Sequence, residues 1–418
     1  MVSPKAAHAP AAATGAAPAP GAAAAASHEP EIADDVRAVH EGGKLTVHAT
    51  APVRDRNDLA LVYTPGVAQV CAAINQRPPL ARSLTIKRNS VAVVSDGSAV
   101  LGLGDVGPEA AMPVMEGKAL LLKQLAGVDG YPICLDERDP DRIVDIVAAI
   151  APGFGGINLE DISAPRCFEV EGKLRRRLDI PVFHDDQHGT AIVVLAALHN
   201  AVRLVGKAVG PGLRVVVQGI GAAGIAVSDL LLAAGVSDVV GVDRDGIVTA
   251  RRSTARDPIF RRLGTRTNPR HLTGTVDVAL DGADVFIGVS AGNTLTVPQV
   301  RRMAPGAIVF AMANPVPEID PDLARRHAAV VATGRSDQPN QINNVLCFPG
   351  LFRGLLDAGA TRVSTTTKLA AARAIADLIG DDELTADHII PSPFDERVVP
   401  AVARAVERTT RQEGAVAG

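Results

Sequence analysis

Between Arg214 and Asp243 the chain reads RVVVQGIGAAGIAVSDLLLAAGVSDVVGVD. A β-branched apolar run stops at a glycine-rich turn, a helical segment follows, and a second apolar run ends on an acid. This order predicts a strand–helix–strand unit with parallel strands, which needs helices on both faces of its sheet. Gly219, Gly221 and Gly224 form a GxGxxG pattern, and Ala222 and Ala223 fill its two x positions, so the helix can pack closely on the strand. The context is that of a dinucleotide fingerprint: the helix N-terminus takes a pyrophosphate, and Asp243, twenty-four residues beyond Gly219, reaches the ribose hydroxyls. Asp243 suits the 2′-hydroxyl of NAD and repels the 2′-phosphate of NADP. Arg244 beside it could bind that phosphate instead. The expectation leans to NAD and leaves NADP open.

A second GxGxxG, GLGDVG (Gly102, Gly104, Gly107), is a weaker match. Asp105 inside the loop would oppose a pyrophosphate, and Pro108 follows the last glycine. Its expected job is a tight turn that places the next helix, which carries Lys118.

The same alternation runs through the chain. SVAVVSDG, YPICLD and GGINLEDI read as strands, with helices at Met112–Gly127 and Pro140–Gly155. After a long helix from Thr190 to Val205 come RVVVQG, DVVGVD, ADVFIGVS, AIVFAMANP and AAVVATG. Aromatic residues are only 3% of the chain and Trp is absent, so aliphatic packing must fill the cores. That suits helices covering parallel strands. The expected fold is α/β: an N-terminal mixed α/β domain (31–187), then a doubly wound, Rossmann-type parallel-sheet dinucleotide-binding domain (188–390), then a C-terminal helical extension (391–418). Residues 1–30 are Ala/Pro-rich without the apolar core of a signal peptide, and read as a disordered tail.

Several classes are excluded. A net charge of −4 provides no general basic field for nucleic acid. The run KLRRRL (Lys173–Leu178) reads as a solvated helix face. No strongly apolar run reaches the ~18 residues of a membrane span. Four cysteines without a CxxC pattern point to reduced thiols and a cytoplasmic protein.

Ionisable residues crowd two strand ends: Glu160 and Asp161 in INLEDI, and Asp185 and Asp186 in FHDDQHGTA. Ligands of open α/β sheets collect at such ends. Gathered carboxylates suit a hard divalent cation, Mg²⁺ or Mn²⁺, but loop and cap roles fit the same residues. His184 and His188 lack a third zinc partner, which favours hydrogen-bonding or surface roles.

YTPGVA (63–68), GLGDVGPEAAMPVMEGKALLLK, NLEDI, FHDDQHGTA, GIGAAG, AMANPVPEI (311–319) and NQINNVLCFPG (340–350) occur in one order. In that order the chain resembles the malic enzymes, most of all the short bacterial form, over roughly 31–406. The resemblance implies oxidative decarboxylation of L-malate to pyruvate and CO₂ with NAD(P)⁺ and Mn²⁺ or Mg²⁺. It implies metal ligation by Glu160, Asp161 and Asp186, and a general base at Lys118 with Asp185 as its hydrogen-bonding neighbour. It further implies a general acid at Tyr63 and substrate or cofactor contacts from Asn314 and Asn344. It also implies a homodimer or a dimer of dimers, with no nucleic-acid or membrane partner. In larger relatives an arginine that holds a malate carboxylate stands where this chain has Ala99. A free lysine has a pKa of about 10.4, so a catalytic base here is expected to be lowered by burial and a cation. Two other readings use the same residues: malolactic conversion to lactate with retained NAD, and a non-catalytic dinucleotide sensor.

Overall fold

The computed structural model describes residues 32–100, 102–251 and 258–417. The expected disordered tail lies outside them. Contacts divide the chain at Gly42/Gly43. The first unit contributes helix α1 (Asp34–His40); the other helices and strands of the described residues belong to the second.

Helices α2 (Arg56–Val62), α3 (Gly66–Gln76) and α4 (Ala81–Leu84) come first and bury no residue. A four-stranded sheet is next, built from β1 (Ser90–Ser95), β2 (Asp129–Cys134), β3 (Gly156–Leu159) and β4 (Val182–His184). Its order is β2-β1-β3-β4, all parallel. β1 is central and wholly buried, as its run of valines requires. The connecting helices are α5 (Pro108–Ala126), α6 (Pro140–Ile150) and α7 (Arg166–Arg177). α5 begins four residues before the expected Met112. Gly107 sets its start with φ +86, a conformation open to glycine, and Pro108 occupies the first helical position.

Helix α8 (Thr190–Leu204), buried along most of its length, leads into a six-stranded sheet. Its strands are β5 (Arg214–Gln218), β6 (Asp238–Asp243), β7 (Gly246–Ile247), β8 (Val285–Gly288), β9 (Ile308–Ala311) and β10 (Val330–Thr333). The order is β10-β9-β8-β5-β6-β7, parallel except for β7. β5 has β6 on one side and β8 on the other, so strand order reverses there, where doubly wound sheets open their ligand crevice. Helices α9 (Ala222–Ala233), α10 (Pro258–Arg266), α11 (Val276–Leu280), α12 (Val297–Val300) and α13 (Pro321–Arg325) make the connections.

The chain then turns back through α14 (Phe348–Ala358), α15 (Thr365–Ala376) and α16 (Val398–Gln412). Phe352 on α14 meets Phe183 on β4 edge to face at 5.9 Å, so one apolar cluster joins the two sheets. α16 packs against α14 and α15. Gly350 and Gly354 leave room for it, because a side chain at either would press on Val402 or Val406.

Candidate active site

Strand register builds the site. Leu159 pairs with His184, so the next residues, Glu160 and Asp161 on one strand and Asp185 and Asp186 on the other, emerge side by side at the carboxyl end of the first sheet. Asp185–Gly189 then forms a single π-type turn, a departure from regular helix that is frequent at functional sites. Asp161 takes φ +53, and its backbone N–H donates to Asp186 Oδ2 at 2.9 Å. Glu160, Asp161 and Asp186 each offer an oxygen, and the three lie within 4.8 Å of one another.

Lys118 reaches this group from α5. Its Nζ lies 3.0 Å from Glu160 Oε1, donates to Asp185, and sits 4.4 Å over the Phe348 ring. Glu160 and Asp185 are both buried, at 3% and 0% exposure. Burial pushes the Asp185 carboxyl up to about 7, although Lys118 opposes it. Burial also raises Glu160 and Asp186, again against Lys118. Burial alone would lower the Lys118 ammonium, but Asp185 and Glu160 outweigh it and hold the pKa above its ordinary value. The lysine is therefore not lowered by its protein surroundings alone.

The donor set fits a hard cation. Oxygen ligands of Mg²⁺ stand at about 2.1 Å in an octahedron, so they are roughly 3–4 Å from one another. Two buried carboxylates, Glu160 and Asp161, and the half-buried Asp186, all within 4.8 Å, approach that spacing. Histidine is not part of the set. His184 is fully buried and pulled down to about 4 by desolvation, so its ring is neutral. His188 turns away, with Nε2 2.8 Å from Glu171 and Nδ1 2.9 Å from Lys368 Nζ.

The glycine turn after β5 has the expected shape. Gly219 has φ +100, and a side chain there would strike the carbonyl of Val289 at the end of β8. A side chain at Gly224 would collide with the Gly219 carbonyl, so this glycine lets α9 close on the strand. Ala222 and Ala223 open α9, with Gly221 at its N-cap. Asp243 ends β6, where its Oδ1 accepts the Asp245 N–H at 2.8 Å; Arg244 is exposed. The other glycine motif folds back on Gly97, whose carbonyl accepts from Val106 and Gly107, and runs into α5.

Asn344 borders the π-type turn: a Cβ at Gly189 would lie 3.2 Å from that of Asn344 and would collide with Asp185 Oδ1. Asn314 is exposed after β9, with its carbonyl against Gly102 and its amide against Gly334. Tyr63 stands apart. It is 66% exposed at the end of α2, and its hydroxyl makes no hydrogen bond to a described residue.

Three supports are not evident from sequence although they lie inside the motifs. Asn158 of INLED donates to Glu160 Oε2 at 2.9 Å and orients it. Phe348 of VLCFPG underlies Lys118. Glu318 of NPVPEI accepts from the backbone of Ser290 and of Ala313, both at 3.0 Å, and pins the ends of β8 and β9 together. An acid in an otherwise apolar, proline-rich segment is the one signal that points to Glu318.

A doubly wound dinucleotide-type sheet beside a buried lysine–carboxylate cluster defines a two-sheet enzyme of the dehydrogenase class. The family model for the malic enzyme N-terminal domain matches residues 42–175, and that for the malic enzyme NAD binding domain matches 187–410. The chain belongs to the malic enzyme family. It is 58% identical over 383 residues to an NAD-dependent malic enzyme of Geobacillus stearothermophilus, covering 92% of this chain and 80% of that one. It is 51% identical to a bifunctional malic/malolactic enzyme of Bacillus subtilis, covering 89% and 91%. The crystal structure of the NAD-dependent malic enzyme of Thermotoga maritima superposes with a TM-score of 0.86 at 46% identity, covering 90% of this chain and 99% of that one. Among the described residues no helix is long and apolar enough to cross a membrane.

Proposed function

We propose that the protein oxidises L-malate at C2 with NAD⁺ and decarboxylates the product to pyruvate and CO₂, using Mn²⁺ or Mg²⁺ held by Glu160, Asp161 and Asp186. The observation that carries this reading is Lys118, its side chain 11% exposed and held against Glu160 and Asp185 beside the three-acid set. When bound, the cation would act as a Lewis acid toward the substrate oxygens. Lys118 takes the proton of the C2 hydroxyl as hydride leaves C2 for the nicotinamide. With carboxylates alone around it, Lys118 stays an ammonium and cannot accept that proton. Two added positive charges among the same acids would offset them and let the amine act as base. Asp185 holds the lysine in place, and Asn158 holds Glu160. The Gly219–Gly224 turn and Asp243 take the dinucleotide, NAD in preference to NADP, with Arg244 as the group that would favour NADP. Asn314 and Asn344 contact substrate or cofactor.

Tyr63 is assigned the proton delivered to C3 after CO₂ leaves. Its exposure requires that something bring the phenol to the substrate. Among the described residues, eleven of the eighteen exposed large apolar side chains lie between Ile32 and Ile86, the segment that contains it. That supports a homodimer, alone or as a dimer of dimers, in which a second copy covers this segment. Substrate and metal belong to 31–187 and dinucleotide to 188–390. Four free cysteines support a cytoplasmic protein.

The test follows the absorbance of reduced nicotinamide with malate, NAD⁺ or NADP⁺, with and without Mn²⁺. Metal-dependent reduction with pyruvate as product is expected. A second reading, malolactic conversion, is favoured by the bifunctional relative. Lactate without net cofactor reduction would establish it instead. Tyr63→Phe should suppress exchange of pyruvate methyl protons with solvent, and exchange at the wild-type rate would remove Tyr63 from the mechanism.

A further inference from the structure

The arginine run Lys173–Leu178 does not face only solvent. Arg175 and Arg176 border a cavity of about 520 Å³ among α7, the Asp185–Gly189 turn, α9, α10 and α15. None of its lining residues belongs to the glycine turn, to Asp243 or to the three-acid set.

The charge in this cavity is unbalanced. Among its described lining residues Arg175, Arg176, Arg262 and Lys368 face two acids, Glu171 and Asp229, an excess of two basic side chains. Both acids are already engaged: Glu171 accepts from His188, and Asp229 is paired with Arg262 and Arg266. Lys368 is 8% exposed. To described residues its Nζ makes one hydrogen bond, with His188 Nδ1 at 2.9 Å, and no ion pair. An ammonium has three donors, so two are left over in a place where burial pulls its pKa down to about 8. Gln187 is 3% exposed, lines the same cavity, and its buried Nε2 has no hydrogen-bond partner among the described residues. Arg176 makes no side-chain hydrogen bond or ion pair to a described residue. Unpaired buried donors are costly unless something satisfies them. Here two spare donors of the Lys368 ammonium and the Gln187 amide are buried without an acceptor among the described residues, with the exposed Arg176 guanidinium at the rim and Arg175 giving one donor to the Val363 carbonyl at 3.5 Å.

We propose that this cavity is a binding site for a small oxyanion, a phosphate or a short dicarboxylate, whose occupancy is transmitted to the catalytic turn. The route is short and covalent. Gln187 and His188 face the cavity, while Asp185 and Asp186 of the same five-residue turn face Lys118 and Asp161. An anion that draws Lys368 and Gln187 inward acts on the backbone that positions the acids. A ligand shifts such an equilibrium only by its differential affinity for the two arrangements.

Binding is tested first, without reference to activity. Inorganic phosphate and glutarate are each titrated into the protein and followed by calorimetry and melting temperature, against sodium chloride at matched ionic strength. One anion should bind with saturation and raise the melting temperature beyond the chloride control; which one does so distinguishes a tetrahedral from a dicarboxylate ligand. Arg176→Gln on the rim and Lys368→Met inside should each weaken binding by about tenfold or more, the scale of a lost charge-assisted hydrogen bond. Arg176 is exposed, so that variant keeps the test informative if Lys368→Met does not fold. The kinetic arm rests on the malate-oxidising reading: the anion should shift KM for malate in wild type and leave Arg176→Gln unresponsive, with basal turnover retained. Three results would overturn the proposal: shifts equal to the chloride control for both anions, undiminished binding in Arg176→Gln, or competition between the anion and NAD⁺.

Discussion

The carboxyl end of the first sheet gathers Glu160, Asp161, Asp185 and Asp186 around Lys118, whereas the carboxyl end of β5 in the second offers Gly219–Gly224 with no charged side chain in the turn. Both ends are the places where a parallel sheet opens to ligands. On the proposed reading, one would meet its ligand with side-chain charge largely held out of water, where each group's ionisation depends on its neighbours. The other would use backbone and helix dipole, which needs glycine for close approach. The first should therefore fail by loss of chemistry or metal with the fold intact, and the second by steric disruption.

The largest effect is expected from Lys118→Ala, which should lower malate oxidation by about 10²–10⁴, the range of a positioned general base, with NAD⁺ affinity retained. Turnover near wild type would remove the lysine from that role. Asp186→Asn comes next. It should weaken Mn²⁺ binding by about tenfold or more, read by metal titration, and leave dinucleotide binding in place. Unchanged metal affinity would break the proposed ligand set. Gly224→Ala tests the opposite end. Its methyl group would strike the Gly219 carbonyl, a backbone atom that cannot rotate away, so a cost of about 1–3 kcal/mol in stability is expected, with weaker NAD⁺ binding and little change in Mn²⁺ affinity. The smallest effect belongs to Asp243→Ala. Removing a partly exposed charge should raise the NADP⁺-to-NAD⁺ efficiency ratio by about fivefold, on the order of 1 kcal/mol. A wild type that already prefers NADP⁺ would make Arg244 or another basic residue the selector.

Legibility in the sequence divides along the same line. The strand–turn–helix around Gly219 is local, and pattern alone carries it: β5 and β6 occupy the expected runs, and α9 begins inside the glycine motif. The charge of Asp105 argues against the rival GLGDVG, and in the fold that motif turns back on Gly97. The acids at the strand ends are visible as residues, but their convergence depends on the pairing of Leu159 with His184, a register no local pattern states. Burial is harder still to read. Lowering of Lys118 is the natural expectation because desolvation lowers an amine, yet the two carboxylates that share its burial decide the sign. The Glu171–His188–Lys368 chain includes a hydrogen bond, His188 to Lys368, between residues 180 positions apart, through the packing of α15 on α8. Nothing in KLRRRL or TTTKLAAARAIA indicates that the two segments border one cavity.

The five-residue turn Asp185–Gly189 has a consequence for which kinds of change the chain can absorb. Asp185 faces Lys118, Asp186 meets Asp161, Gln187 and His188 point into the anion cavity, and Gly189 admits the Asp185 carboxylate. The five positions divide between the two sides of the turn. Substituting one residue alters one side chain, but inserting or deleting one turns every later side chain by roughly 100°, exchanging inward and outward faces and sending an imidazole where a carboxylate belongs. Length, more than the identity of any one side chain, is the quantity this stretch cannot vary, and a frame-preserving indel scan across 185–189 should find no tolerated site.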